Sequence, residues 1–130
     1  MLKDSKAVAT VATSDMPAAQ TFYSETLGLP VMASMEEFAA YQLPDGSAVS
    51  VYVRPNHVPP ENTAVMFIVS DIEAEMADLR SRGVKFEDYD MPGIKTVNGL
   101  ATEESDGSKI AWFKDPAGNI LGLSTLPPTP

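Results

Sequence analysis

The sequence predicts an α+β fold made of two βαβββ modules. Three observations predict it. Strand-type and helix-type runs follow one another in the order strand, helix, strand, strand, strand over the first half of the chain. A segment at 55–62 with prolines at 55, 59 and 60 then interrupts any helix or central strand. The same order begins again after it. The expected organisation is therefore one domain, 1–130, with a first module over about 6–54, a linker at 55–62 and a second module over about 63–126.

Ala7 to Thr13 is a run of small and β-branched residues that suits a buried strand, and it stops at Ser14-Asp15-Met16-Pro17. That tetrad starts a helix: Asp15 caps free N–H groups and Pro17 has its φ preset for a first turn. Ala18, Phe22, Leu27 and Leu29 supply the apolar stripe, and Gly28 ends the helix. Pro30 to Met35, Phe38 to Leu43 and Ala48 to Val53 read as three further strands, the last two joined through Pro44-Asp45-Gly46. Thr63 to Val69 is again a buried-type strand, and Ser70-Asp71 caps a second helix carrying Ile72, Met76 and Leu79 as far as Gly83. Val84 to Tyr89 reads as a strand and Met91 to Gly99 as a loop. Lys109 to Lys114 and Ile120 to Thr125 read as two strands around Asp115-Pro116-Ala117-Gly118-Asn119.

Superposed, Ser14-Asp15 and Gly28 match Ser70-Asp71 and Gly83, and Leu43-Pro44-Asp45-Gly46-Ser47 matches Asp115-Pro116-Ala117-Gly118-Asn119. Two copies of so long a period predict two similar units sharing one sheet about a pseudo-two-fold axis, with a cleft between them.

Composition narrows the function classes. A 44% hydrophobic and 21% charged chain of 130 residues can bury a core. There is no cysteine, hence no disulfide, thiolate nucleophile or zinc-thiolate site. No apolar run is long enough to span a bilayer and the N-terminal residues lack a signal-peptide pattern, so no membrane association and a cytoplasmic location are expected. A formal charge of −9 with nine scattered Lys and Arg disfavours nucleic acid and favours a cationic small molecule. No Ser-His-Asp set or Gly-rich phosphate loop is present.

The helix segment Phe22-Tyr23-Ser24-Glu25-Thr26-Leu27-Gly28-Leu29 and the closing segment Trp112-Phe113-Lys114-Asp115-Pro116-Ala117-Gly118-Asn119, on a duplicated βαβββ pattern, resemble the vicinal-oxygen-chelate superfamily. That group holds the glyoxalases, bleomycin-resistance proteins and extradiol dioxygenases. The resemblance covers nearly the whole chain and implies a curved mixed sheet enclosing the cleft, with the helices on its outer face. In enzymes of the superfamily one divalent metal is held by His, Gln, Glu or similar donors on the first and last strands of each module. The family spacing carries those positions to Val8, Ser50, Ala64 and Gly122. Only Ser50 has a side-chain oxygen, and a shift of one residue brings in no His or carboxylate. The resemblance therefore implies a member without a metal cofactor.

If those four positions face the cleft, alternation along the strands places Thr10, Ala12, Tyr52, Arg54, Met66, Ile68, Ile120 and Ser124 beside them. Val11, Val49, Val51, Val65, Phe67, Val69, Leu121 and Leu123 then face the helices, and their apolar character supports this phase. By the same logic Trp112 turns to the cleft, with Phe38 as its counterpart. The expected ligand-binding residues are Trp112, Phe38, Tyr52, Thr10, Ser50, Met66 and Arg54, an apolar and aromatic set with a few polar handles. The structural alternative is that the aromatic residues fill space or face a partner surface, and that Arg54 is simply solvated.

No catalytic residue is assigned. Most acids fall on solvated helix faces or hairpin ends, although Glu103 and Glu104 near Asn98-Gly99 leave a base on a lid open. His57, in the linker, is expected at the surface. The leading expectation is a metal-free small-molecule binding protein like the bleomycin-resistance proteins, sequestering a bulky aromatic or cationic drug or natural product, and a homodimer as relatives often are. The alternatives are a glyoxalase-like lyase or isomerase or a dioxygenase-like enzyme with an atypical site, or an interaction module.

Overall fold

The computed structural model describes residues 1–125, so Leu126, the last residue expected in the second module, lies outside the described residues. The chain forms two compact units, Met1–Ala64 with Asp115–Asn119, and Val65–Lys114 with the chain from Ile120 onward.

In the first unit, strand β1 (Val8–Thr13) leads into helix α1 (Met16–Thr21), and β2 (Val31–Ser34), β3 (Phe38–Gln42) and β4 (Ala48–Val53) follow. Asp15 caps α1 by accepting from the Ala18 N–H at 3.1 Å. Beyond Thr21 the helix widens into a π turn over Phe22–Thr26, in which the Leu27 N–H reaches back to the Phe22 carbonyl at 2.9 Å. The sheet order is β1-β4-β3-β2, with β1 parallel to β4 and the other pairs antiparallel. The long passage through α1, β2 and β3 is what allows a parallel β1–β4 pair. A bulge lies between Val31 and Ala33 in β2.

The core of this unit lies between α1 and one face of the sheet. Val11, Thr13, Ala39, Tyr41, Val49 and Val51 are buried, and Tyr23 stacks on Tyr41 with ring centroids 5.7 Å apart. Each fully buried side chain of Val size or larger contributes about 1.5–3 kcal/mol.

In the second unit β5 (Thr63–Ile68) is followed by helix α2 (Ile72–Ser81), which Asp71 caps through the Ala74 N–H at 3.1 Å, as Asp15 does for α1. Ile72, Met76 and Leu79 bury one side of α2. Residues 84–89 form only a single bridge, Phe86 to Phe113, rather than the expected strand. The Glu87 N–H also bonds Trp112 O at 2.8 Å, but the Val84 N–H goes to Leu79 O at the end of α2 and the Tyr89 N–H to Thr96 Oγ1, so no continuous ladder forms. Conversely, the segment read as a loop holds β6 (Asp90–Met91) and β7 (Ile94–Val97), with β8 (Leu100–Thr102) after it. Gly93 and the Asn98-Gly99 pair turn these short strands back on each other, which runs too short for periodicity to reveal. With β9 (Lys109–Lys114) and β10 (Ile120–Ser124) the sheet order is β5-β10-β9-β8-β7-β6.

The repeat extends to the turns. Leu43 N–H bonds Ser47 O at 2.8 Å and Gly46 N–H bonds Leu43 O at 3.0 Å; Asp115 N–H bonds Asn119 O and Gly118 N–H bonds Asp115 O, both at 3.0 Å.

Candidate functional site

The first sheet turns its other face away from α1. Register pairs Thr10 with Ser50, and Phe38 with Tyr52. Ser50 Oγ donates to Thr10 Oγ1 at 3.1 Å. Ser50 is buried, whereas Phe38 and Tyr52 are 37% and 38% exposed and form an aromatic cross-strand pair at the end of the face. Val8, on this face, is also exposed. Arg54 leaves β4 with its backbone N–H bonded to Thr13 O at 2.8 Å, and its side chain is exposed.

In the second unit Met66, Gly122 and Trp112 share one face of their sheet. Gly122 lies directly opposite Trp112 across β10 and β9. A Cβ built on Gly122 would lie 2.7 Å from Met66 Sδ and 2.8 Å from its Cε, so the Met66 thioether fills the space over that glycine. Met66 is 38% exposed and Ile68, two residues on, is exposed as well. Val65, Leu121 and Leu123, on the opposite face, are buried. Trp112 is only 9% exposed, and the Tyr89 ring meets it edge to face at 5.4 Å between centroids. Tyr89 was not among the residues singled out from sequence; it lies on an irregular segment whose facing cannot be read from alternation. Burial, with the charge of Glu87 second, raises its phenol pKa.

The positions that the family pattern assigns to a metal do not fit one. Val8 and Ala64 have no donor, Gly122 has no side chain and is overlain by a thioether, and Ser50 already bonds Thr10. Among the described residues no three His, Asp or Glu side chains gather into a ligand set. Divalent ions of the Mg, Mn or Zn kind need several imidazole or carboxylate donors.

In the 87–90 acid cluster Asp88 is held by local structure. Asp88 accepts from Thr96 Oγ1 and from the Gly99 N–H, both at 2.8 Å, and these bonds, led by Thr96, lower its pKa. Arg80 lies over the Phe86 ring at 5.2 Å and donates to Asn98 O at 2.6 Å. The Asn98-Gly99 segment, where the sequence leaves a lid open, is thus a pinned turn between β7 and β8. A Cβ at Gly99 would come within 2.7 Å of Phe86 Cβ, and its φ is +81°, so only glycine fits.

Sequence reasoning also missed a buried polar network in the first unit. Asp115, expected as a hairpin residue, is buried and accepts four hydrogen bonds. Tyr23 Oη and Asn119 Nδ2 donate to its Oδ2 at 2.7 and 2.9 Å, and the Ala117 and Asn119 N–H groups to its Oδ1 at 3.0 and 2.9 Å. Asn119 Nδ2 also donates to Ala12 O at 2.8 Å. Its Oδ1 therefore faces His57 Nε2, 2.9 Å away, and His57 is half-buried rather than free at the surface. Asp-Pro-x-Gly-Asn was the available signal, but its partners come from distant parts of the chain.

Among the described residues no helix is long and apolar enough to cross a membrane. The chain resembles solved structures over nearly its full length. A glyoxalase family protein from Enterococcus faecalis matches at TM-score 0.73 and 20% identity, covering 95% of this chain and 99% of that one. A glyoxalase/bleomycin resistance protein from Catenulispora acidiphila matches at TM-score 0.66 and 27% identity, over 94% and 98%. The oxidase ChaP-H2 matches at TM-score 0.66 and 22% identity, over 94% and 93%. Among curated proteins none matches. The family model of the Glyoxalase/Bleomycin resistance protein/Dioxygenase superfamily matches residues 7–123, and the chain belongs to that superfamily.

Proposed function

We propose that this protein binds a bulky, partly planar organic molecule without a metal, in the manner of the bleomycin-resistance branch, and sequesters it rather than transforming it. The observation that carries this reading is the Met66 thioether over Gly122 at a position where enzymes of the superfamily place a metal ligand. Val8 and Ala64 leave two more of those positions without a donor. Apolar and aromatic groups take their place: Met66, Trp112 and Tyr89 on one face, and Phe38 and Tyr52 on the face that also holds Thr10 and Ser50. Such surfaces bind planar apolar bodies by contact area, with hydroxyls and Arg54 as orienting groups. The formal charge of −9 favours a cationic ligand. Antibiotic resistance by sequestration, a cytoplasmic location and assembly as a homodimer belong to this proposal.

The test is metal analysis of the purified protein joined to a thermal-shift screen of aromatic cations and antibiotics. Stabilisation by an aromatic compound in metal-free protein supports the proposal, because a ligand that binds only the folded state raises the midpoint. A stoichiometric divalent ion required for binding refutes it. Sedimentation reports the oligomeric state.

A further inference from the structure

We infer that Met66 is a displaceable plug, and that the notch it fills over Gly122 is where the planar ring of a ligand seats, so that the Met66–Gly122 pair sets ligand size and shape. This rests on the binding function proposed above and names the part of that surface that selects the ligand.

A glycine within a strand weakens it, since it packs no side chain, and such a position marks a place where something else comes close to the backbone. Gly122 is the third of five residues in β10, between the buried Leu121 and Leu123. Its φ is not in the left-handed region, so turn geometry does not explain the glycine. What does is the missing Cβ, which would lie 2.7 Å from Met66 Sδ and 3.4 Å from Ala111 O. On one side of Gly122 the thioether leans in from β5. On the other stands Trp112, its cross-strand partner.

Met66 is the element able to move. Its side chain is unbranched and polarisable, partly exposed, and held by no hydrogen bond among those described. The indole is mostly buried and braced edge to face by Tyr89. Rotation of Met66 about its side-chain bonds uncovers a slot floored by the Gly122 backbone and walled by Trp112, which suits an aromatic ring and excludes a branched aliphatic body. The thioether can then cover the ring's outer face, a favourable sulfur–aromatic contact.

The experiment uses proflavine, a planar tricyclic cation, with spermidine as an aliphatic cation and naphthalene-2-sulfonate as a planar anion. Trp112, the single tryptophan, reports binding through its emission. Met66→Ala leaves the slot open and is expected to bind proflavine about fivefold more tightly, whereas Gly122→Ala puts a methyl on the floor and is expected to bind about tenfold more weakly. Spermidine is expected to leave the emission unchanged. Unchanged or weaker proflavine binding in Met66→Ala, or unchanged binding in Gly122→Ala, overturns the plug. Should Met66→Ala fail to fold, Met66→Leu, a stiffer plug of similar size, is expected to weaken binding a few-fold, and equal affinity overturns the proposal. If wild type and both variants bind proflavine alike, the binding function stands and the notch falls. If none of the three probes binds wild type or Met66→Ala, the binding function falls with it.

Discussion

The Tyr23 hydroxyl donates to Asp115 Oδ2 at 2.7 Å, and both groups are buried, with no ion pair to Asp115 among the described residues. A carboxylate in that position is tolerated because four neutral donors replace its water. Tyr23→Phe removes one donor and leaves the ring packing on Tyr41 intact. The expected cost is about 1–3 kcal/mol in urea unfolding, with an unchanged denaturant slope. A loss near zero would mean that the hydroxyl is not Asp115's donor in solution.

The same pair sets an alkaline limit. Burial first, then the charge and hydrogen bond of Asp115, raise the Tyr23 pKa far above its ordinary value of 10.0, and burial also raises that of Tyr41. In the unfolded chain these phenols ionise near 10, while in the folded chain Tyr23 keeps its proton. The unfolded state thus binds fewer protons above that pH, so stability is flat below it and falls above it. Each such group contributes a slope of about 1.4 kcal/mol per pH unit. Unfolding free energies between pH 8 and 11 are expected to bend downward near 10, and Tyr23→Phe is expected to shallow the bend.

Asn119 fixes the state of the chain's single histidine. With both Nδ2 protons directed to acceptors, Ala12 O and Asp115 Oδ2, its Oδ1 must accept, so neutral His57 carries its proton on Nε2. Nitrogen-detected NMR of the neutral imidazole is expected to show the Nε2–H tautomer. The Nδ1–H form would contradict the geometry. Asn119→Ala, which strands several buried partners, is expected to cost about 2–4 kcal/mol.

Pro59 of the linker packs on the hairpin tip, where a Cβ at Gly118 would meet Pro59 Cγ at 3.0 Å and where φ is +86°. Gly118→Ala is expected to destabilise by about 1–2 kcal/mol through backbone strain and crowding together. Because a φ-permissive residue relieves the strain only, Gly118→Asn should recover part of that loss but not all. Thermal midpoints of the two variants decide it.

The two caps offer a test of the repeat. Asp15→Ala and Asp71→Ala each remove one 3.1 Å bond to a helix N–H, and each is expected to cost about 1 kcal/mol in chemical denaturation. A large inequality would show that the two caps, equal in geometry, are unequal in energy.

Much of the fold is legible without coordinates because its signals are local. Asp15 and Asp71 precede apolar stripes at helical spacing, and both cap helices. Alternation along β4, β5 and β10 separates Val49, Val51, Val65, Leu121 and Leu123, all buried, from Tyr52 and Met66, which are exposed, and from Ser50 and Gly122, which are covered. The family pattern rests on such features, and so did the empty donor set at Val8, Ala64 and Gly122, since residue identity alone states that a side chain has no ligand atom.

Tertiary structure decided the relationships among residues far apart in the chain. Tyr23 meets Asp115 across a separation of 92 positions, and His57 meets Asn119 across 62. No periodicity encodes such pairs, because a hydrogen bond depends on where two side chains arrive and not on their spacing. The same holds for Tyr89 on Trp112 and for Met66 over Gly122. Local signals in the chain establish where the two capped helices begin, where most of the strands lie and which positions of the family's metal pattern lack donors. Packing alone decided that the space over Gly122 holds a thioether, since a missing side chain says nothing about its neighbour.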